Sequence, residues 1–377
     1  MLRHGGAGGR QRRLIMSDLA RLLRAAAGDR AASDTLSTLH IDRAFLADGA
    51  REAAGLSEVG RATFAMALNA LLFQDLLNRV PTGAAYVADR RRLRQHITFD
   101  HGALRTIRFA AGPTGALPPG IDSFARILQP LGYALAGDYP LDQLRMTGHA
   151  FAHREFAATM PQFFISELHV ERFSPQFQAA AARVFGASRD PLSHDARATL
   201  GSFAAHGRCE LTAAAVGLRQ LLAAFGRCHE MPSLADYRLL LAESAEAAWM
   251  ATEGCAFNHA TDRVADVDAV AREQRALGRP IKDTIEVSRS GTVRQTAFKA
   301  DPVARTFRGG GGDGDGDGDG DGDGDGGDNA PLTLSVPGSF YEFISRDVIS
   351  NADGTRQLDL RFDSMNAQGI FKMTTAA

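Results

Sequence analysis

The chain has little cysteine. Cys209, Cys228 and Cys255 are the only three in 377 residues, and an odd, irregularly spaced set argues against a secreted disulfide framework. It has no run of about 18 apolar residues, the length a membrane-spanning helix needs. It also lacks an excess of either charge: 42 Lys and Arg against 44 Asp and Glu give a formal net charge of −2. A nucleic-acid-binding domain needs a concentrated basic face. The nearest approach here, RRRLR at 90–94, is short and reads as a solvated helix end. A GxSxG elbow, a GxxxxGK[ST] loop and a GxGxxG following a strand are all missing, so serine-hydrolase, P-loop and Rossmann chemistry find no support. What remains, 45% hydrophobic and 23% charged, is the composition of an ordinary globular protein. A reducing, cytoplasmic setting is expected, with neither membrane nor nucleic acid as partner. The basic opening, MLRHGGAGGRQRRLI, lacks serine and an amphipathic repeat. Residues 1–16 therefore read as an extension ahead of a start at Met16 rather than as a transit peptide.

Residues 17–95 are patterned as helix. Ser17 is placed to cap SDLARLLRAA, and ATFAMALNALLFQDLLNRV at 62–80 is an apolar-rich helix ended near Pro81. Over 96–173 the texture changes to short strands in β-α-β-β-β order. HITFDHGALRTIRF reads as a strand with a bend near Gly102, IDSFARILQPLGY as a helix, then ALAGDYPL, LRMTGHAFAH and FFISELHVE as strands. Residues 174–250 return to helix, as PQFQAAAARVFG, LTAAAVGLRQLLAAFG and YRLLLAESAEAAWMAT. Residues 251–377 repeat the earlier order: the strand CAFNHATDRV, the helix DVDAVAREQRALG, and strands in DTIEVSRSG, VRQTAFKADPVART and SFYEFISRD. Both modules open on Phe-[Asp/Asn]-His and close on a strand glutamate, Glu167 or Glu342. Histidine and glutamate are 66 residues apart in the first (167 − 101) and 83 in the second (342 − 259). The Asp-Gly run at 309–328 lies inside the second module and is long enough to absorb the excess. An α+β fold built by internal duplication is predicted, with an N-terminal helical segment and a helical insertion between modules. The Asp-Gly run lacks the apolar position of calcium-binding repeats and reads as a disordered acidic loop.

Side chains alternate faces along a strand, so His101, Ala103 and Arg105 in TFDHGALR point the same way. A neutral imidazole can bind a metal and a guanidinium can clamp a carboxylate. One such strand would equally suit a core-edge histidine with an arginine reaching outward. The recurrence in AFNHATDR changes the balance, because His259 repeats the setting and Glu342 adds a carboxylate. Two histidines and one carboxylate form the facial triad of non-haem iron(II) oxygenases, which leaves three coordination positions open. Glu167, taken as the partner of Glu342 under the duplication, is either a fourth ligand or an orienting group behind the ligands. A four-ligand site would suit a lyase or isomerase acting by Lewis acidity. His149 and His153 are spaced as a helical metal pair but fall on a strand, His169 reads as an orienting or surface group, and Cys228, His229 and Cys255 include no CxxC pair. Arg294 and Lys299 fall on opposite faces of one strand, so at most one of them lines a cavity.

The segments FDHGALR, PQFFISELHVERFS, FNHATDR, VSRSGTVRQTAFKADPV, SFYEFISR and NAQGIFKMT together resemble the 2-oxoadipate dioxygenase/decarboxylase family, also called D-2-hydroxyglutarate synthases, from about residue 17 onward. The resemblance implies two vicinal-oxygen-chelate-type β-α-β-β-β modules forming a curved sheet around a metal site. It implies iron(II) held by His101, His259 and Glu342, with Arg105 as the catalytic, substrate-binding arginine. It further implies substrate contact at His101 and His259, and a cavity lining around Met365 and Asn366 in the closing segment. The Asp-Gly insertion and the short tail depart from the family. The chemistry fits: a 2-oxo acid offers its carboxylate and keto oxygen to two open positions and leaves the third for dioxygen. On this reading 2-oxoadipate and O2 give D-2-hydroxyglutarate and CO2, in lysine catabolism, without a separate 2-oxoglutarate cosubstrate.

Overall fold

The computed structural model describes residues 16–46, 57–308, 331–350 and 353–364. The run at 309–328, the expected cavity residues Met365 and Asn366, and all but Met16 of the basic opening lie outside them.

The chain opens with α1 (Asp18–Thr38), capped by the Ser17 hydroxyl, which accepts from the Ala20 amide at 3.3 Å. Helix α2 (Arg61–Arg79) follows, then α3 (Pro81–Arg92). Pro81 therefore also starts a helix, in the first turn, where its missing N–H is not needed. The first module is β1 (Phe99–Arg108), α4 (Asp122–Leu128), β2 (Tyr133–Leu141), β3 (Met146–His153) and β4 (Gln162–His169). Five helices come next: α5 (Pro175–Phe185), α6 (His194–His206), α7 (Leu211–Leu221), α8 (Leu234–Glu243) and α9 (Ala245–Glu253). The stretch YRLLLAESAEAAWMAT, read as one helix, breaks at Ser244, which is extended (φ −151°, ψ 108°) and caps α9 through its hydroxyl. The second module is β5 (His259–Arg263), α10 (Val267–Ala276), β6 (Glu286–Val287) and β7 (Val293–Ala297). The hairpin β8 (Pro302–Phe307) and β9 (Leu332–Pro337) is then inserted before the last strand, β10 (Phe340–Arg346). VRQTAFKADPVART, expected to be one strand, is thus β7 and β8, and only β7 belongs to the large sheet.

The large sheet has eight strands in the order β2-β3-β4-β1-β5-β10-β7-β6. The first and last strands of each module pair in parallel, and the modules join through antiparallel β1 and β5. Read outward from that join, the two halves have the same strand order: first strand, last strand, then the two between. The expected bend at Gly102 falls instead between Phe99 and His101, where the register against β5 shifts and Asp100 is left over.

Strand parity divides the sheet. Leu104, Phe163, Ile165, Ala260, Tyr341 and Phe343 enter the main apolar core beneath α1 and α2. Their alternates, among them His101, Phe164, His259 and Glu342, line a cleft on the other face. A second apolar cluster packs Ile107, Met146 and Leu168 against α5 and α9, so the inserted helices cover the cleft face beyond Arg105.

Candidate metal centre

His101, His259 and Glu342 meet on adjacent central strands β1, β5 and β10. All three are buried, and their ligand atoms lie within 4.8 Å of one another. The two Nε2 atoms sit 3.4 and 3.3 Å from the same Glu342 oxygen, Oε2. The Thr261 hydroxyl donates to that oxygen at 2.5 Å and lies 3.1 Å from His101 Nε2. Among the described residues no other three His, Cys, Asp or Glu side chains converge in this way.

The residue before each histidine holds its ring. Asp100 Oδ2 is 2.9 Å from His101 Nδ1, and Asn258 Oδ1 is 3.2 Å from His259 Nδ1. An acceptor on Nδ1 keeps the proton there and turns Nε2, as a lone pair, toward the centre. Asp100 is itself held by Arg346, whose guanidinium donates to both its oxygens at 2.9–3.1 Å. Burial works against the charge on Asp100, but Arg346 and the His101 ring outweigh it and hold the carboxyl well below the usual carboxylate range. Glu342 behaves alike: burial opposes ionisation, yet the two histidines keep it charged and its pKa far down. Burial lowers the His259 pKa. On His101 burial also opposes charge, but the Asp100 and Glu342 carboxylates reverse it and raise the pKa. One carboxylate and two orienting imidazoles suit a divalent cation that accepts mixed nitrogen and oxygen ligands.

Arg105 lies on the same face as His101, two strand alternations along β1, and lines the cleft as parity predicts. It is buried, ion-paired with Glu246 of α9, and its guanidinium carbon stands 5.0 Å from the Trp249 ring centre. At the other side of the metal group Phe362 packs edge-on to His101, with ring centres 4.9 Å apart. Arg346 ties that segment down by donating to the carbonyls of Asp359 and Arg361 at 2.9 and 2.8 Å. The cleft measures about 440 Å³ out to the open solvent at its mouth.

Glu167 is not at the metal group. It faces the opposite side of β4, where its carboxylate accepts from the Ile121 amide at 2.8 Å and pairs with Arg108 Nε at 2.8 Å. Glu167 and Glu342 are not counterparts under the duplication. His101 is opposite Gln162 and His259 is opposite Phe340, so the counterpart of Glu342 is Phe164. A phenyl ring occupies the position a fourth ligand would need. His149 bonds Asp138 at 2.6 Å, His153 stacks edge-on to Tyr133, and His169 bonds Thr147 at 2.9 Å. His229 bonds the Ala251 carbonyl at 3.1 Å and lines a separate cavity with Cys228 and Cys255. Neither Arg294, paired with Asp268, nor exposed Lys299 lines the cleft; Gln295 between them does. Sequence reasoning also passed over Asn258, Ser166 and Phe164. The alternation around Arg294 and the Asp/Asn preceding each histidine were the available signals.

A family model described as 2-oxoadipate dioxygenase/decarboxylase matches residues 69–319. The chain belongs to the 2-oxoadipate dioxygenase/decarboxylase family. The chloroplastic/amyloplastic 2-oxoadipate dioxygenase/decarboxylase of Oryza sativa subsp. japonica is 26% identical over 305 residues, 74% of this chain and 70% of that one. A glyoxalase superfamily protein of Ralstonia eutropha JMP134 superposes with a TM-score of 0.80 at 44% identity, covering 92% of this chain and 98% of that one. The hydroxyglutarate synthase of Oryza sativa, solved in complex with 2-oxoadipate, superposes with a TM-score of 0.58 at 23% identity, covering 84% and 93%, and shares the fold. The mixed α+β architecture with one curved sheet is thus that of the family. Among the described residues no helix is long and apolar enough to cross a membrane.

Proposed function

We propose that this chain is an iron(II)-dependent dioxygenase and decarboxylase that converts 2-oxoadipate and O2 to D-2-hydroxyglutarate and CO2, a step of lysine catabolism. The observation that carries the reading is the buried His101–His259–Glu342 group with Phe164 at the fourth place, in a chain of this family. Three protein ligands leave room for a bidentate 2-oxo acid and for dioxygen; four would not. That arithmetic favours a dioxygenase over a lyase or isomerase of the same fold.

Iron(II) bound there would supply chelation of the oxo-acid end and a path for electrons to dioxygen. The chain's own residues do the rest. Arg105 stands four residues from His101, roughly 13 Å along the strand, and its side chain is directed into the cleft. It is placed to hold the distal carboxylate, with the chain of the substrate lying along Ala103. Asp100 and Asn258 fix the two imidazoles, so neither ring has to reorient as substrate enters. Phe164 and Phe362, in contact at 4.7 Å between ring centres, screen the centre from water.

The test is oxygen uptake by anaerobically iron(II)-loaded protein on adding 2-oxoadipate. Uptake matched one to one by CO2 and 2-hydroxyglutarate is expected, and His259→Ala should lose both the iron and the uptake. No uptake with iron demonstrably bound would sink the proposal.

A further inference from the structure

The two modules hold their histidines differently, and the difference leaves a polar group over. In the first, Asp100 is fully engaged: Oδ2 takes His101 Nδ1, and both oxygens take Arg346. In the second, Asn258 stands at the matching position. Its backbone amide donates to the Ala103 carbonyl at 2.8 Å, so it sits across from the β1 stretch that joins His101 to Arg105. Its Oδ1 is at His259 Nδ1. If Nε2 faces the metal, Nδ1 carries the proton, and the amide must present oxygen to the ring and its NH2 elsewhere. The residue is 1% exposed, and among the described residues Nδ2 has no acceptor. Asn258 lines the cleft beside His259, Arg105 and Glu342. A buried amide donor without an acceptor costs free energy unless something in the cleft accepts from it.

We infer that Asn258 is a substrate-binding residue whose Nδ2 donates a hydrogen bond to an oxygen at the oxo-acid end of a metal-bound 2-oxo acid. This rests on the function proposed above. The oxo-acid end is the one assigned, because the amide is anchored to the ring of a metal ligand, whereas the distal carboxylate belongs to Arg105. Asn258 therefore has two roles through two atoms: Oδ1 orients His259 and Nδ2 binds substrate. Module one, with an aspartate, has only the first.

Asn258→Asp separates them, since a carboxylate keeps an acceptor on His259 Nδ1, as Asp100 does on His101, but removes the donor. Asn258→Ala removes both. The readouts are iron content and anaerobic binding of 2-oxoadipate and of 2-oxohexanoate, which lacks the distal carboxylate. Binding is followed by fluorescence of Trp249, the chain's single tryptophan, which lies against Arg105. For Asn258→Asp, iron content within about twofold of wild type and dissociation constants for both acids raised about tenfold or more are expected. Asn258→Ala should in addition lose iron affinity by about tenfold or more. Unchanged binding of both acids in iron-replete Asn258→Asp would overturn the inference, and so would weakening confined to 2-oxoadipate, which would place the contact at the distal carboxylate. If wild type itself binds neither acid, the proposed function fails and this inference falls with it.

Discussion

At the scale of single residues, the candidate centre is organised by the neighbours of its histidines. His101 and His259 were legible because a histidine recurred in one local setting. What holds them was written in the same motif, as the Asp or Asn just before each, and was legible only as a pattern. That these side chains fold back onto the next residue's ring depends on the irregular pairing around Asp100 and on Asn258 preceding β5. Glu246 shows the opposite case: it lies 141 residues from Arg105 (246 − 105), and nothing local announces the pair. Burial lowers the Arg105 pKa and Glu246 counteracts it. Removing the carboxylate charge should therefore weaken the ligand-free protein while leaving Arg105 readier for an anion. Glu246→Gln is expected to lower stability by about 1–3 kcal/mol. It should also enlarge the rise in melting temperature expected on adding 2-oxoadipate. Thermal unfolding with and without the acid checks this, and an equal rise in both proteins would contradict it.

Asp262 adds a pH dependence at the same scale. Burial raises its carboxyl to about 7, against hydrogen bonds from the Tyr86 hydroxyl and the Thr98 amide that favour the charged form. The folded pKa exceeds the unfolded one, so the stability this group contributes is complete below about 4 and is lost as pH rises through about 7. Asp262→Asn should remove that loss. The variant should be the more stable protein above pH 7, by roughly 2–4 kcal/mol at most, with the gap closing toward pH 4. Denaturant titrations at pH 4.5 and 8 would show it.

Among the elements, β1 carries most of the information. From His101 onward, past the register shift, its odd positions face the cleft side and its even ones the core, so one strand supplies a candidate metal ligand, a small residue and the arginine in register. Gly102 is required on the core side: a Cβ there would stand 2.2 Å from the Phe257 ring, which is itself buried. Gly102→Ala is expected to cost about 1–3 kcal/mol by overpacking, with iron affinity falling in parallel because His101 and Ala103 must move with the backbone. Urea unfolding and metal titration on one preparation would test both. Element order was legible from alternation and turn signals. The β8–β9 hairpin was not, because β7 and β8 run together in sequence and only the pairing of β8 with β9 takes it out of the large sheet. Register was also hidden. Glu167 and Glu342 look equivalent as strand glutamates, yet which strand position faces the two-histidine cleft is decided by pairing with the histidine strand, and there the counterpart is Phe164.

For the molecule as a whole, duplication explains the sheet and its asymmetry explains the site. The two halves repeat the order of strands, but the inserted helices cover the first half's cleft face and meet the second half at the β8–β9 hairpin, and the carboxylate of the candidate metal group comes from the second. Arg105 and Arg263, matched in the motif, accordingly have different surroundings: one is buried against Glu246 and Trp249, the other lies 3.6 Å from Asp100 and donates to the Ala158 carbonyl.

Because His101 belongs to one half and His259 and Glu342 to the other, a bound cation would act as a crosslink between them. It would close a loop from position 101 to position 342 that the covalent chain leaves open. Ligand and fold are then thermodynamically linked, and free metal at a hundred times its dissociation constant would add about 2.7 kcal/mol to global stability. A redox-inert divalent ion such as Zn(II) should therefore raise the melting temperature in a single transition, and a chelator should reverse it. Two separated transitions, only one of them moved by metal, would show that the halves come apart independently of the ion that joins them.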